Sequence, residues 1–329
     1  MLTDQFQRTI SYLRLSVTDR CDFRCLYCMA EDMTFLPRQD ILSLEELSEI
    51  GAAFVELGGK KIRLTGGEPL IRKDVTRLVA SLGALDGLEQ LAITTNGSQL
   101  TSYADTLAAA GVTSINISLD SLDPVKFKTI TRTGDLAKVL AGIDAAKAAG
   151  IEKIRLNSVI LQNYNLNDVT ELVDFAIAKD LDIAFIEEMP LGSMPHINRN
   201  ERWLSNETLA QRLKSHYAIE SSSTPKSVAG PARYQNITGT NTRIGFISPH
   251  SHNFCSTCNR IRITVEGRLL LCLGNEHSLD LRAILRGKGY TRETLKTSII
   301  DALAFKPERH HFYDPDQPQI LRFMNATGG

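Results

Sequence analysis

Between residues 10 and 215 short strand-like runs alternate with amphipathic helices, and no other feature restricts the fold of this chain as much, because βα units require a parallel sheet with helices packed on it. The runs fall at 11 to 17, 61 to 65, 90 to 94, 113 to 119, 153 to 160 and 182 to 188. Ser43-x-x-Glu46 is a capping box, and the helix it opens carries Leu44, Leu47, Ile50, Phe54 and Leu57 along one face before stopping at Gly58-Gly59. A second helix, from about Asp135 to Ala149, puts Leu136, Val139, Leu140 and Ile143 on one stripe and ends at Gly150. After Ser221-Ser222-Ser223-Thr224-Pro225 the alternation stops, and β-prone runs at Arg243 to Ile247, Ile261 to Val265 and Arg268 to Leu271 take over. The expected architecture is a partial, open (βα)6 TIM-type barrel over residues 8–220 with a smaller C-terminal α+β domain over 221–329.

Side chains alternate across a strand, so each run has two faces. Leu13, Leu15, Ile62, Leu64, Ile115, Ile117, Ile154 and Leu156 form the apolar set that belongs under helices. The opposite set holds Tyr12, Arg14, Lys61, Arg63, Thr94, Asn116, Ser118, Arg155 and Asn157. Barrel interiors are normally filled with branched apolar side chains. Arginines enclosed there without partners cost several kcal/mol each, roughly, so an anion or water is expected among them. The other reading is an open sheet with one face in solvent, where those cations are simply hydrated.

Net charge is −1 over 329 residues, which gives no general attraction to nucleic acid or an anionic membrane; any anion must be met by a local cluster of positive groups. The start, Met1 to Phe6, has no basic segment followed by an apolar one, and no apolar run is long enough to span a bilayer, so a cytoplasmic location is expected. That compartment is reducing, and the six cysteines fall into two groups of three, Cys21-x3-Cys25-x2-Cys28 and Cys255-x2-Cys258-x13-Cys272. Three thiolates can hold three corners of an iron–sulfur cube and leave the fourth iron open to a ligand that is not protein. A structural zinc needs a fourth ligand; near the second group His250 or His252 could supply it, whereas no histidine occurs in the first 190 residues. His196, His216, His277 and the pair His310-His311 form no such pattern and read as ordinary histidines.

The first group follows the first strand, at the end of a barrel where enzymes keep their chemistry. Its Cys-x3-Cys-x-aromatic-Cys spacing resembles the radical S-adenosylmethionine (SAM) family, and Thr65-Gly66-Gly67-Glu68-Pro69 resembles that family's glycine-rich motif. The resemblance implies a [4Fe-4S] cluster on Cys21, Cys25 and Cys28, and SAM contacts at Tyr27, Gly67, Ser118 and Met189. Gly66 and Gly67 would let backbone carbonyls approach the methionyl ammonium with no Cβ in the way.

Cys255-Ser256-Thr257-Cys258-Asn259-Arg260-Ile261-Arg262 with Cys272 resembles the C-terminal domain of those radical SAM cyclases that open molybdenum-cofactor biosynthesis, and the likeness runs from about Ile10 to the closing Gly328-Gly329. It implies a lyase acting on GTP, with a second [4Fe-4S] cluster on Cys255, Cys258 and Cys272 whose open iron takes the guanine. Arg14, Arg63, Thr94, Arg155, Arg260 and Arg262 would hold the nucleotide, and Arg260, Arg262, Gly328 and Gly329 would serve catalysis, the tail threading into the active site. The partners implied are an electron donor of flavodoxin or ferredoxin type, a downstream cyclic pyranopterin monophosphate synthase that receives the product, and a second copy of the chain. Arg155 departs from the lysine common on that strand, keeping the charge with a bulkier fork. No Gly-x4-Gly-Lys-Ser/Thr loop is present, so a GTP site here must be built from side chains. Two other readings stay open: radical chemistry on a peptide, and a zinc-stapled binding protein without catalysis.

Overall fold

A computed structural model describes residues 2–192, 203–222, 230–310, 312, 320 and 322–328. Six βα-type strands, β1 (Tyr12–Ser16), β2 (Lys61–Thr65), β3 (Gln90–Thr95), β4 (Val112–Ser118), β5 (Lys153–Val159) and β6 (Asp182–Ile186), pair in parallel and in chain order. Each lies within two residues of the run read from sequence. Helices α1 (Leu44–Glu56), α2 (Val75–Gly83), α3 (Leu100–Ala109), α4 (Pro124–Thr131), α5 (Leu136–Ala148) and α6 (Val169–Lys179) connect them. The capping box at α1 is formed on both sides: Glu46 N donates to Ser43 Oγ at 3.1 Å and Ser43 N to Glu46 Oε2 at 2.7 Å.

The remaining strands do not form a sheet of their own. After α7 (Asn206–Lys214), β7 (Ile219–Ser221), β8 (Arg233–Ile237) and β9 (Arg243–Ile247) follow, then β10 (Arg260–Ile263), β11 (Arg268–Leu270) and β12 (Ser278–Asp280). β9 pairs in parallel with β6, and β10 in parallel with β1, so the run of parallel strands gains one member on each flank. The resulting order is β12-β11-β10-β1-β2-β3-β4-β5-β6-β9-β8-β7, an open sheet whose two ends do not meet. Position 220 lies inside β7, which pairs antiparallel with β8 of the same sheet. Helices α8 (Leu281–Leu285), α9 (Arg292–Leu303) and α10 (Met324–Thr327) complete the described chain, and no described helix is long and apolar enough to cross a membrane.

One apolar core runs beneath both parts. It includes Leu13, Leu15, Ile62, Leu64, Ile115 and Ile117 together with Ile261, Ile263, Leu269, Leu295 and Ile299, all buried. Burying such side chains contributes about 1.5–3 kcal/mol each. The opposite strand faces are left to line the concave side, and there the polar residues collect.

Candidate active site at the concave face

A cavity of about 330 Å³ occupies the concave side, within the usual range for small-molecule sites. Tyr12 and Arg14 of β1, Lys61 and Arg63 of β2, Thr94 of β3, Asn116 of β4, Arg155 and Asn157 of β5, and Arg260 and Arg262 of β10 line it, with Cys255, Cys258 and Cys272 at one end. The polar faces of the strands thus converge, and the cations are enclosed: Arg63 is 3% exposed and Arg14 7%. Arg63 Nε donates to Tyr12 Oη at 2.8 Å and Nη1 to the Ile93 carbonyl at 2.8 Å. Arg155 Nη1 donates to Tyr234 Oη at 2.6 Å, and Nε to Asn157 Oδ1 at 2.9 Å. Among the described residues no carboxylate pairs with Arg63, Arg155, Arg260 or Arg262. Burial, with Arg63 and further arginines nearby and against the opposing pull of Tyr12, draws Lys61 down to about 8 and Arg14 to about 10. A multiply charged anion entering this space would relieve that repulsion.

At the cysteine end, Cys255–Thr257 forms a short turn closed by Cys258 N donating to the Cys255 carbonyl at 3.1 Å. Arg8 Nη1 holds the same carbonyl at 2.9 Å. Lys306 is buried, and its ammonium donates to the Arg260 carbonyl at 2.9 Å and to the Leu271 carbonyl, tying together the segments that carry Cys258 and Cys272. Burial pushes the Cys258 thiol up, but Arg260 and Lys306 outweigh it and bring it down to about 6, favouring the thiolate that metal requires.

The first cysteine group sits at the C-terminal end of β1. Its loop is pinned from two sides, Arg24 N and Leu26 N donating to the Thr131 and Ile130 carbonyls of α4 at 2.9 and 3.0 Å, while Asn96 Nδ2 and Ser98 Oγ each donate to Asp22 at 2.6 Å. Burial raises all three thiols, Cys28 to about 12, so metal loading here must displace protons from Cys21, Cys25 and Cys28. Thiols on a pinned loop are the soft donor set that an iron–sulfur cluster takes. Among the described residues no three His, Cys, Asp or Glu side chains form a set suited to one metal ion. His250 Nε2 is bound at 2.7 Å to the Glu188 carbonyl.

The glycine-rich motif packs directly on this loop. Gly67 N donates to the Thr18 carbonyl at 2.7 Å and Glu68 N to the Arg20 carbonyl at 2.9 Å. A Cβ on Gly67 would run into Arg20, and one on Gly66, whose φ is +129°, into Thr18. These glycines therefore have a packing reason in addition to any role at a ligand. Glu68 is fully buried; burial lifts its carboxyl to about 7, yet Leu70 N (2.9 Å), Thr95 Oγ1 (2.8 Å) and Asn96 N (2.6 Å) all donate to it. Glu68→Gln would turn an NH2 group on one of those donors, and is expected to cost about 1–3 kcal/mol of stability, read as a lower Tm in thermal unfolding. An unchanged Tm would mean the donors are not needed.

The tail lies between the two cysteine groups. Asn325 Nδ2 donates to the Asp19 carbonyl at 2.8 Å, and the Gly328 carbonyl accepts from Arg262 Nη1 at 2.6 Å and Arg14 Nη2 at 3.4 Å. The Asn325 backbone N–H faces the Cys28 thiol. Among the described residues, the lining of this cavity includes Cys255, Cys258 and Cys272 and not Cys21, Cys25 or Cys28.

Of the residues picked from sequence, Arg14, Arg63, Thr94, Arg155, Met189, Arg260 and Arg262 border the cavity, and Gly328 touches two of its arginines. Tyr27, Gly67 and Ser118 lie outside that lining, Tyr27 and Gly67 with the first triad's loop; Tyr27 Oη donates to Asp120 Oδ2 at 2.8 Å, and burial, against the lowering hydrogen bonds from Tyr27 and Val159 N, lifts the carboxyl of Asp120 to about 6. Gly329, His196 and His311 lie outside the described residues. Lys61 is a lumen cation that sequence reasoning placed on the right face and left out of the site, although its spacing from Arg63 was the signal. Tyr234 of β8 and Phe254 and His310, which lie outside the strands, also line the cavity, and nothing in the sequence marked them.

Comparison with known proteins places this arrangement. Residues 15–176 match the Radical SAM superfamily and residues 181–312 match Molybdenum Cofactor Synthesis C. The GTP 3′,8-cyclase of Saccharophagus degradans is 56% identical over 328 residues, covering 100% of this chain and 98% of that protein, and the one of Pseudomonas putida strain GB-1 is 57% identical over 329 residues with the same coverage. Among solved structures, Streptococcus suis SuiB bound to its precursor peptide SuiA superposes with a TM-score of 0.63 at 16% identity, over 97% of this chain and 76% of that one, a likeness of fold. With both segments matched and relatives more than half identical along its whole length, the chain belongs to the GTP 3′,8-cyclase family of radical SAM enzymes.

Proposed function

We propose that this protein is a GTP 3′,8-cyclase, converting GTP to (8S)-3′,8-cyclo-7,8-dihydroguanosine 5′-triphosphate in the first step of molybdenum-cofactor biosynthesis. Cys21, Cys25 and Cys28 would hold a [4Fe-4S] cluster, which with bound SAM would supply the radical chemistry at the ribose 3′ position. Tyr27, Gly67, Ser118 and Met189 are the proposed SAM contacts. Cys255, Cys258 and Cys272 would hold a second cluster, which would bind the guanine. Arg14, Arg63, Thr94, Arg155, Arg260 and Arg262, joined by Lys61, hold the triphosphate and keep the ribose from turning away from the radical source. Arg260, Arg262, Gly328 and Gly329 are the proposed catalytic residues, the Gly328 carbonyl being held by Arg262 and Arg14. The reductant is a flavodoxin or ferredoxin, the product passes to cyclic pyranopterin monophosphate synthase, and the working unit is a homodimer in the cytoplasm.

The observation that carries this reading is the cationic cavity with a cysteine triad at its end: a peptide substrate has no use for so many enclosed guanidinium groups. Anaerobic incubation with SAM, dithionite and GTP should give 5′-deoxyadenosine and the cyclised nucleotide in step, with GDP and a test peptide much poorer. Absence of both products from protein with full iron would remove the proposal. For the second cluster, an iron and sulfide count on Cys255→Ala should fall by about half while 5′-deoxyadenosine still forms slowly and no cyclised nucleotide appears. Undiminished iron would argue for a single cluster.

A further inference from the structure

Tyr12 stands at the start of β1 with Arg260 of β10 and Lys61 of β2 as its register neighbours. Its side chain is 3% exposed and borders the cavity. Arg63 Nε donates to its oxygen at 2.8 Å and Arg14 Nη1 at 3.2 Å, while Lys61 Nζ sits 4.8 Å from the centre of the ring. Two guanidinium groups therefore give N–H protons to one phenolic oxygen, and among the described residues no acceptor takes the hydroxyl's own proton. Arginine does not give up its proton in proteins, so the species matched to these neighbours is the acceptor-only phenolate.

The remaining surroundings agree. Burial opposes ionisation, but Arg63, Arg14, Lys61 and Arg260 outweigh it and hold the phenol well below its ordinary range. Arg262 of β10 adds a further positive group to the same cavity. Asp182, the carboxylate bordering the cavity among the described residues, is held by Arg243 at 2.5 Å. Tyr234, by contrast, receives one guanidinium donor, from Arg155 at 2.6 Å.

We infer that Tyr12 is a proton-exchanging member of the substrate site: a phenolate that serves as counter-ion to the lumen's arginines until a triphosphate takes them over, and a phenol afterwards. This rests on the GTP reading above. As phosphate oxygens claim the guanidinium N–H groups, the phenolate loses its stabilising donors and gains anionic neighbours; both changes raise its affinity for a proton. One proton comes from solvent, one O–H bond forms, and the new hydroxyl can donate to a phosphate oxygen, which only accepts. The substrate site thereby replaces an internal anion by an external one without accumulating net charge. Lys61, drawn down to about 8, shifts in the same direction when an anion binds, so its share has to be removed.

The test is calorimetric binding of GTP, under anaerobic conditions and with clusters loaded, in buffers of different ionisation enthalpy at about pH 8, where the terminal phosphate is already ionised. Lys61→Arg is compared with Lys61→Arg/Tyr12→Phe, since arginine stays charged throughout. The expected result is uptake of about one proton per GTP in the first and close to none in the second. Equal proton numbers in the two, or none in the wild type at either about pH 7 or about pH 8, would overturn the role given to Tyr12 and leave the GTP reading standing. Failure of the wild type to bind GTP at all would remove that reading, and this inference with it.

Discussion

Cys25→Ala is expected to abolish formation of 5′-deoxyadenosine, a loss on the order of 10⁴-fold or more, because the cofactor carries the chemistry and no other group in the site can substitute for it. The fold should survive. The loop is fixed by backbone bonds from Arg24 and Leu26 to the end of α4 and by the Asn96 and Ser98 bonds to Asp22, none of which involves the thiol. Iron should fall to about half, as for Cys255→Ala, but the two variants part on SAM cleavage: absent in the first, retained without cyclisation in the second. Counting iron and quantifying 5′-deoxyadenosine in the same samples checks this. Cleavage of SAM at wild-type rate by Cys25→Ala would place the radical source elsewhere.

Gly328→Val should be the most damaging substitution outside the cysteines. A side chain at this position would drive into Thr65 and the Gly66 amide, and the backbone already has a φ of +73°, where a β-branched residue is strained. The segment must then leave, taking with it the carbonyl that Arg262 and Arg14 hold. Loss of orientation of this kind costs about 10²-fold in turnover. Stability should change little, since the tail contributes few apolar contacts compared with the core, so Tm within a few degrees of wild type together with a large fall in cyclised product is the expected pair. If product formation is unaffected, the tail is only packing.

What could be read from the chain in advance follows from where the physics is local. Period-two alternation in β1 to β6 and the capping box at Ser43 depend on neighbours in sequence, and they marked both the strands and the polar lumen, Arg14, Arg63 and Arg155 included. The placement of β9 and β10 on the two flanks of the barrel depends on pairing between segments far apart in sequence, and short strands without crossover helices carry no signal for which edge they will join. The same limit hid Tyr234, Phe254 and His310. The glycines at 66 and 67 were legible as a motif, but their packing against Thr18 and Arg20 required the three-dimensional path of the cysteine loop.

The ladder between β1 and β10 sets Tyr12 beside Arg260 and Arg14 beside Arg262, and these are the strands that run out of Cys258 and into Cys21. The spacing of the two metal-binding ends is therefore measured off in peptide units along hydrogen-bonded backbone, and no hinge between lobes can change it. Adding one residue between Cys258 and Arg260 would turn each side chain of β10 to the opposite face, exchanging arginines for isoleucines inside the lumen. Reach between the centres is a quantity that evolution can adjust only in whole steps.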